Sequence, residues 1–201
     1  MLRPGVEPFG MTKIFLLALT VASMFGQSKE VGLTLGTVFP QQRNLLDLRP
    51  GLTLNANYGQ RVWQNPNLAL LGEVHLLASP LRNVESRTPT AVRDFASLYL
   101  MPGLRLKMLP ASRVSPYVAG GFGYAQYHAS ELLQNGNPNP FRDRQHTYGG
   151  NIGGGVDVRI HKYLSVRGEV RNFMTASPRF NTPVAGLQHN GKASVGIVFT
   201  K

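Results

Sequence analysis

The chain predicts an all-β fold: eight antiparallel strands running up and down in sequence order and closing into a barrel. Three observations predict it. Eight stretches alternate apolar with polar or small residues, the period of a strand with two unlike faces. The gaps between them are alternately short and long. In every stretch one face carries no charge, so a single rule of sidedness holds along the whole chain.

The first stretch, Glu30 to Phe39, sets Val31, Leu33, Leu35 and Phe39 against Thr34. Pro50 to Trp63 sets Leu52, Leu54, Ala56 and Tyr58 against Asn55, Asn57 and Arg61, and Leu68 to Ala78 sets Leu70, Val74 and Leu76 against Glu73 and His75. Ser97 to Leu109 places Leu98, Leu100, Leu104 and Leu106 opposite Arg105 and Lys107, while Pro116 to His128 carries Val118, Phe122 and Tyr124 on its apolar face. Thr147 to Ile160 pairs Ile152, Val156, Val158 and Ile160 with Asn151, Asp157 and Arg159 on the other side. Leu164 to Thr175 opposes Leu164, Val166 and Val170 to Arg167, Glu169 and Arg171, and Lys192 to Thr200 opposes Ala193, Val195, Ile197 and Phe199 to Ser194. The tight gaps are Gln64 to Asn67, Pro110 to Ser115 and His161 to Tyr163; the long ones centre on Gln41 to Arg49, Ser79 to Ala96, Ala129 to His146 and Ala176 to Gly191.

Parity alone leaves two barrels open. A soluble, lipocalin-like ligand-binding barrel turns the aliphatic face inward, whereas a transmembrane barrel turns it toward lipid. Three features favour the membrane. The strands have the length a tilted strand needs to cross a bilayer. Pro102 and Gly72, Gly120, Gly154 and Gly168 thin the apolar face and would leave a soluble core underfilled. Aromatics stand near strand ends, at Phe39, Tyr58, Trp63, Tyr148, Tyr163, Phe173 and Phe199, as interfacial girdles do. Closure also satisfies every backbone N–H and C=O where lipid offers no partner.

The amino terminus fits an exported protein read from Met11. Lys13 supplies a positive n-region, Ile14 to Val21 a short apolar run, and Ala22 to Gln27 small residues for cleavage. Residues 1–28 are therefore expected to be upstream sequence and leader, and residues 29–201 a single barrel domain. There is no cysteine, hence no disulfide and no thiolate site.

Two segments carry a family resemblance. The run YGGNIGGGVDVRIHKYLSVRGEVR, Tyr148 through Arg171, resembles the penultimate hairpin of the eight-stranded outer-membrane β-barrel family related to the OmpA transmembrane domain. PYVAGGFGY, Pro116 through Tyr124, resembles that family's Gly-rich strand. The family's C-terminal aromatic, read by the barrel-insertion machinery, is matched by Phe199 and not by the last residue. The resemblance implies location in the cell outer membrane and a lumen whose charges can exchange partners as a gate.

An eight-stranded barrel has an interior just wide enough for side chains to fill. The inward set predicted to form an ion-pair network is Glu73, His75, Arg105, Lys107, Asp157, Arg159, Arg167, Glu169 and Arg171, because unpaired charges there are costly. The formal charge of +11, or +10 without Arg3, Glu7 and Lys13, sits largely in or near the loops at Arg43, Arg49, Arg82, Arg87, Arg93, Arg142, Arg144, Arg179 and Lys192. No nucleic-acid motif accompanies it. The expected partners are outer-membrane lipid and the phosphates of lipopolysaccharide, for which Arg offers paired donors; the protein is expected to be a monomer. His128-Ala129-Ser130 with Glu131 resembles the His-x-Ser of outer-membrane lipid A deacylases, but Arg142 stands where that family's carboxylate follows. His146, His161 and His189 lack zinc spacing, and the glycines of Gly149 to Gly155 lead into no phosphate-binding helix. No cofactor, metal or catalysis is expected. The function read from the sequence is a structural or surface-interaction role, with a narrow gated pore, a lipid A-modifying enzyme and a soluble binding barrel as alternatives.

Overall fold

The computed structural model describes residues 28–40, 47–85, 91–140, 144–176 and 186–201. The leader expected from Met11 lies outside them, as do Arg43, Arg87, Arg142 and Arg179. Eight long strands follow in order: β1 (Lys29–Pro40), β2 (Gly51–Gln64), β3 (Leu68–Glu85), β4 (Asp94–Met108), β5 (Val114–Ala129), β6 (Arg144–His161), β7 (Leu164–Ala176) and β8 (Leu187–Thr200). Each pairs antiparallel with its neighbour in sequence. The ring closes between β8 and β1, from Glu30↔Thr200 to Pro40↔Asn190. A two-residue ladder, Asp47–Leu48, lies against Glu85 and Val84 at the loop end of β3.

The side chains sort as period two requires. On β4, Leu104 is 56 % exposed and its neighbour Arg105 is 0 % exposed. Leu33, Leu54, Val118, Ile152, Val170 and Val195 are likewise exposed, while the charged and amide residues between them are buried. A soluble barrel would show the reverse. Charges inside and aliphatics outside make this an eight-stranded transmembrane barrel, with no helix long and apolar enough to cross a membrane among the described residues.

Strand ends differ from expectation in one direction. β3 continues past Ala78 to Glu85, and β8 begins at Leu187, five residues before Lys192. Backbone pairing continues beyond the apolar band, as at Arg82↔Phe95 and Asn83↔Asp94, so the hydrophobic pattern underestimates the strands on their loop side. The turn ends are tight, and Asn65 closes the first by accepting from Asn67 N at 2.9 Å and Leu68 N at 2.6 Å. At the loop end, residues 130–139 fold back over the mouth through the bridges Val92↔Leu133 and Leu132↔Pro138.

The lumen as candidate functional site

The interior divides into two ends. Toward the tight turns it is a ladder of alternating charges. Lys107 on β4 reaches Glu30 of β1 at 2.5 Å and Asp157 of β6 at 2.8 Å. Arg167 on β7 grips Asp157 with two donors, Nε to Oδ1 at 2.6 Å and Nη2 to Oδ2 at 2.8 Å, and also reaches Glu30 at 3.3 Å. Arg105 lies between Glu30, at 3.2 Å, and Glu73. Arg171 bridges Glu73 and Glu169, the latter at 2.9 Å, and Lys192 on β8 completes the run at 2.8 Å from Glu169.

Neutral groups fill the remaining positions. Asn57 accepts from Arg167 at 2.9 Å, Asn151 from Arg171 at 3.1 Å and Asn55 from Lys192 at 3.2 Å. Tyr117 on β5 donates to Glu169 at 2.8 Å, and its ring has the guanidinium carbons of Arg105 and Arg167 at 4.8 and 4.9 Å from its centroid. All eight strands therefore contribute to one network. The glycines of β6 make room for it: a Cβ on Gly155 would stand 2.6 Å from the Tyr117 hydroxyl, and one on Gly153 would stand 2.6 Å from Arg171 Cγ.

The predicted site residues do not all behave alike. Glu73, Arg105, Lys107, Asp157, Arg167, Glu169 and Arg171 come together, and His75 stands 3.9 Å from Glu73 and 3.4 Å from Lys192. Arg159 does not join them. It shares the parity of Asp157 but lies exposed at the mouth, donating to the carbonyls of Ala111 and Pro110 at 3.1 and 2.7 Å. With Arg61 and Lys162 it lines a polar pocket of about 70 Å³ beside Glu30 and Lys107. Glu30 and Lys192 belong to the ladder although neither was among the expected members. Glu30 shares the parity of Thr34, and Lys192 that of Ser194, which was the available signal.

Toward the loops the lumen is an apolar plug. Leu77, Val84, Phe95, Tyr99, Met101, Ala125, Tyr127 and Phe173 form one buried cluster with Ala91 and Val92 above it. Tyr99 and Tyr127 share a hydrogen bond of 3.1 Å, and Tyr127 reaches Thr175 at 2.6 Å. Phe173 was expected in an interfacial girdle. It is 1 % exposed, because it follows Arg171 at the same parity and so points inward. Arg82, read from sequence as a loop charge, is also buried here. The outward aromatics that remain include Tyr148, stacked on Phe122 with centroids 6.4 Å apart and met edge-on by Tyr124.

Ser130, of the His-x-Ser run, is bonded to backbone on both sides. Its hydroxyl accepts from Arg93 N and Asp94 N, each at 3.2 Å, and donates to Leu132 O at 2.7 Å, which makes it a link between β4 and the folded-back loop. No group of His and acidic residues spaced for a metal ion occurs among the described residues.

No protein-family model and no curated protein matches the sequence. Solved structures do match the fold. The outer membrane protein OprG of Pseudomonas aeruginosa superposes with a TM-score of 0.56 at 11 % identity, covering 87 % of this chain and 96 % of its own. Neisserial surface protein A gives 0.54 at 10 % identity, over 87 % and 97 % of the two chains. Ail, the attachment invasion locus protein of Yersinia pestis, solved in complex with the heparin analogue sucrose octasulfate, gives 0.51 at 14 % identity over 87 % and 97 %. The chain has the fold of the eight-stranded outer-membrane β-barrels.

Proposed function

We propose that this protein is a barrel of the cell outer membrane with no catalytic role, whose filled lumen holds the wall rigid and whose loop end makes contact with other molecules. One observation carries the reading: six strands send paired charges into one ladder, the other two join it through Asn55, Asn57 and Tyr117, and an apolar plug lies beyond it. A lumen filled this way serves as a scaffold and leaves interaction to the outer surfaces. The bonding of Ser130 within the backbone supports a role without acyl hydrolysis. The charge-free outer band supports the outer membrane as location, and closure without a free edge supports a monomer.

The contacts at the loop end are electrostatic. Arg49, Arg93 and Arg144 are exposed there and suit the phosphates of lipopolysaccharide or another polyanion. Ail, of the same fold, was solved with a polysulfated sugar, a ligand of that charge class. Phe199, exposed on the outward face of β8, is the aromatic offered to the insertion machinery.

The test is threefold. Envelope fractionation should recover the chain with outer membranes, in a form whose electrophoretic mobility changes on boiling. Reconstituted protein should leave a planar bilayer without steady conductance, and should bind vesicles containing lipopolysaccharide more tightly than neutral ones. Recovery in the aqueous fraction would overturn the membrane assignment. Sustained single-channel openings would replace the scaffold with a gated pore in which the ladder exchanges partners, and turnover of lipid A would replace it with an enzyme.

A further inference from the structure

Arg82 stands apart from every other buried cation. Arg105, Lys107, Arg167, Arg171 and Lys192 each hold at least one carboxylate. Arg82 is 1 % exposed, yet among the described residues no carboxylate reaches it. Its two Nη atoms share one acceptor, Asn190 Oδ1, at the long distances of 3.5 and 3.4 Å, and Gln188 Nε2 also donates to that oxygen at 3.2 Å. Its Nε has no partner among the described residues, nor has Asn190 Nδ2. The Phe95 ring adds a cation–π contact, with its centroid 4.9 Å from the guanidinium carbon.

The inward direction of Arg82 comes from a specific device. The inward residues of β3 run Glu73, His75, Leu77 and Ser79, a sequence that would send residue 82 outward. The register slips between Ser79 and Arg82, and this β-bulge turns Arg82 and Val84 into the lumen. A fixed positive charge with five N–H donors is thus brought into an apolar plug with one shared acceptor, an arrangement in which an uncompensated ion is costly.

We propose that Arg82 and Asn190 form a binding site for a small monovalent anion of halide size, held by Arg82 Nε and Asn190 Nδ2 at the loop end of the lumen. One negative charge matches the one buried cation that no carboxylate reaches among the described residues, whereas a divalent anion would leave a buried charge of opposite sign. The adjoining Leu77, Phe95, Tyr99 and Tyr127 belong to one packed cluster, which leaves an organic tail no place. The site lies in the apolar cluster and not in the ladder, so it holds whether or not the barrel conducts.

The test is thermal unfolding of the refolded barrel in detergent at constant ionic strength, with chloride exchanged for the bulky sulfonate of HEPES. The wild-type midpoint should climb with the logarithm of chloride concentration once the dissociation constant is passed, reaching about 3–6 °C at tenfold above it. Arg82→Leu should melt at the same temperature in both salts, while Lys162→Gln, which removes an exposed cation at the turn end, should keep the full response. A second measurement guards against failure of Arg82→Leu to fold: crystals of the wild type grown in bromide should show an anomalous peak beside Arg82 Nε and Asn190 Nδ2. A wild-type midpoint indifferent to chloride, a chloride response retained by Arg82→Leu, or bromide crystals with no peak there would each overturn the proposal.

Discussion

At the turn end of the lumen every acidic group meets at least two cations, and those cations are shared onward, so Glu30, Glu73, Asp157 and Glu169 belong to one connected ladder of charges from six strands, which Asn55, Asn57 and Tyr117 extend to the other two. At the loop end Leu77, Phe95, Tyr99, Met101, Tyr127 and Phe173 pack as an ordinary core, drawn from β3, β4, β5 and β7. The same cross-section is filled in two ways. The ladder couples distant strands because each partner serves twice, and removing one charge strands another. The plug crosses the lumen too, from β4 and β5 to β7, but its members are apolar or neutral, so a loss there leaves a cavity or an unmade hydrogen bond and no unpaired charge. Phe173 joins the two, with ring centroids 5.9 Å from His75 and 5.4 Å from Tyr99.

The sharpest way to break this contrast is to remove the central cation of the ladder. Arg167→Met leaves Asp157 with Lys107 alone and takes a donor from Glu30, so urea unfolding in lipid vesicles should show a loss of about 4 kcal/mol. A loss below about 1 kcal/mol would mean that the charges are hydrated rather than mutually supported.

Next in size is the outer wall, which separates a lumen charge from a lipid-facing one. Leu104→Arg puts a guanidinium where the side chain is 56 % exposed, one residue from the fully buried Arg105. Insertion into vesicles should become less favourable by about 3 kcal/mol. Unchanged folding yield and stability would reverse the assignment of faces.

Glu169→Gln tests the ladder more gently. It keeps the shape but weakens contacts to Tyr117, Arg171 and Lys192, and should cost about 2 kcal/mol by thermal or urea unfolding. A planar-bilayer recording of the same protein separates scaffold from gate, since a gate would gain open time and a scaffold would stay silent.

The smallest effect belongs to the plug. Tyr127→Phe removes the hydroxyl joined to Tyr99 and Thr175 while keeping the ring, and should cost about 1 kcal/mol. If its cost equals that of Arg167→Met, the two ends do not differ as described.

Much of this was legible in the sequence for one physical reason. A strand places successive side chains on opposite faces, so Leu104 and Arg105, or Val170 and Arg171, declare their sides by adjacency alone. Strand count, order and the alternation of tight and long connections follow from the same period, and so does most of the ladder. Phe173 was legible in principle, being two residues beyond Arg171.

Other features depended on three-dimensional closure. Arg159 has the same parity as Asp157 yet lies at the mouth, because depth along the barrel axis is set by strand tilt and by the stagger of the closed sheet, which no single strand contains. Glu30 reaches the lumen because β1 closes on β8, and its cationic partners Arg105, Lys107 and Arg167 come from β4 and β7. Arg82 turns inward through a register slip between paired backbones, a property of β3 and β4 together. The sequence by itself determined which residues face lipid and which face the lumen wherever the pleat is regular. Only the tertiary structure decided how deep each inward charge lies and which partner it meets, because depth and partner are distances across a closed ring and not along a chain.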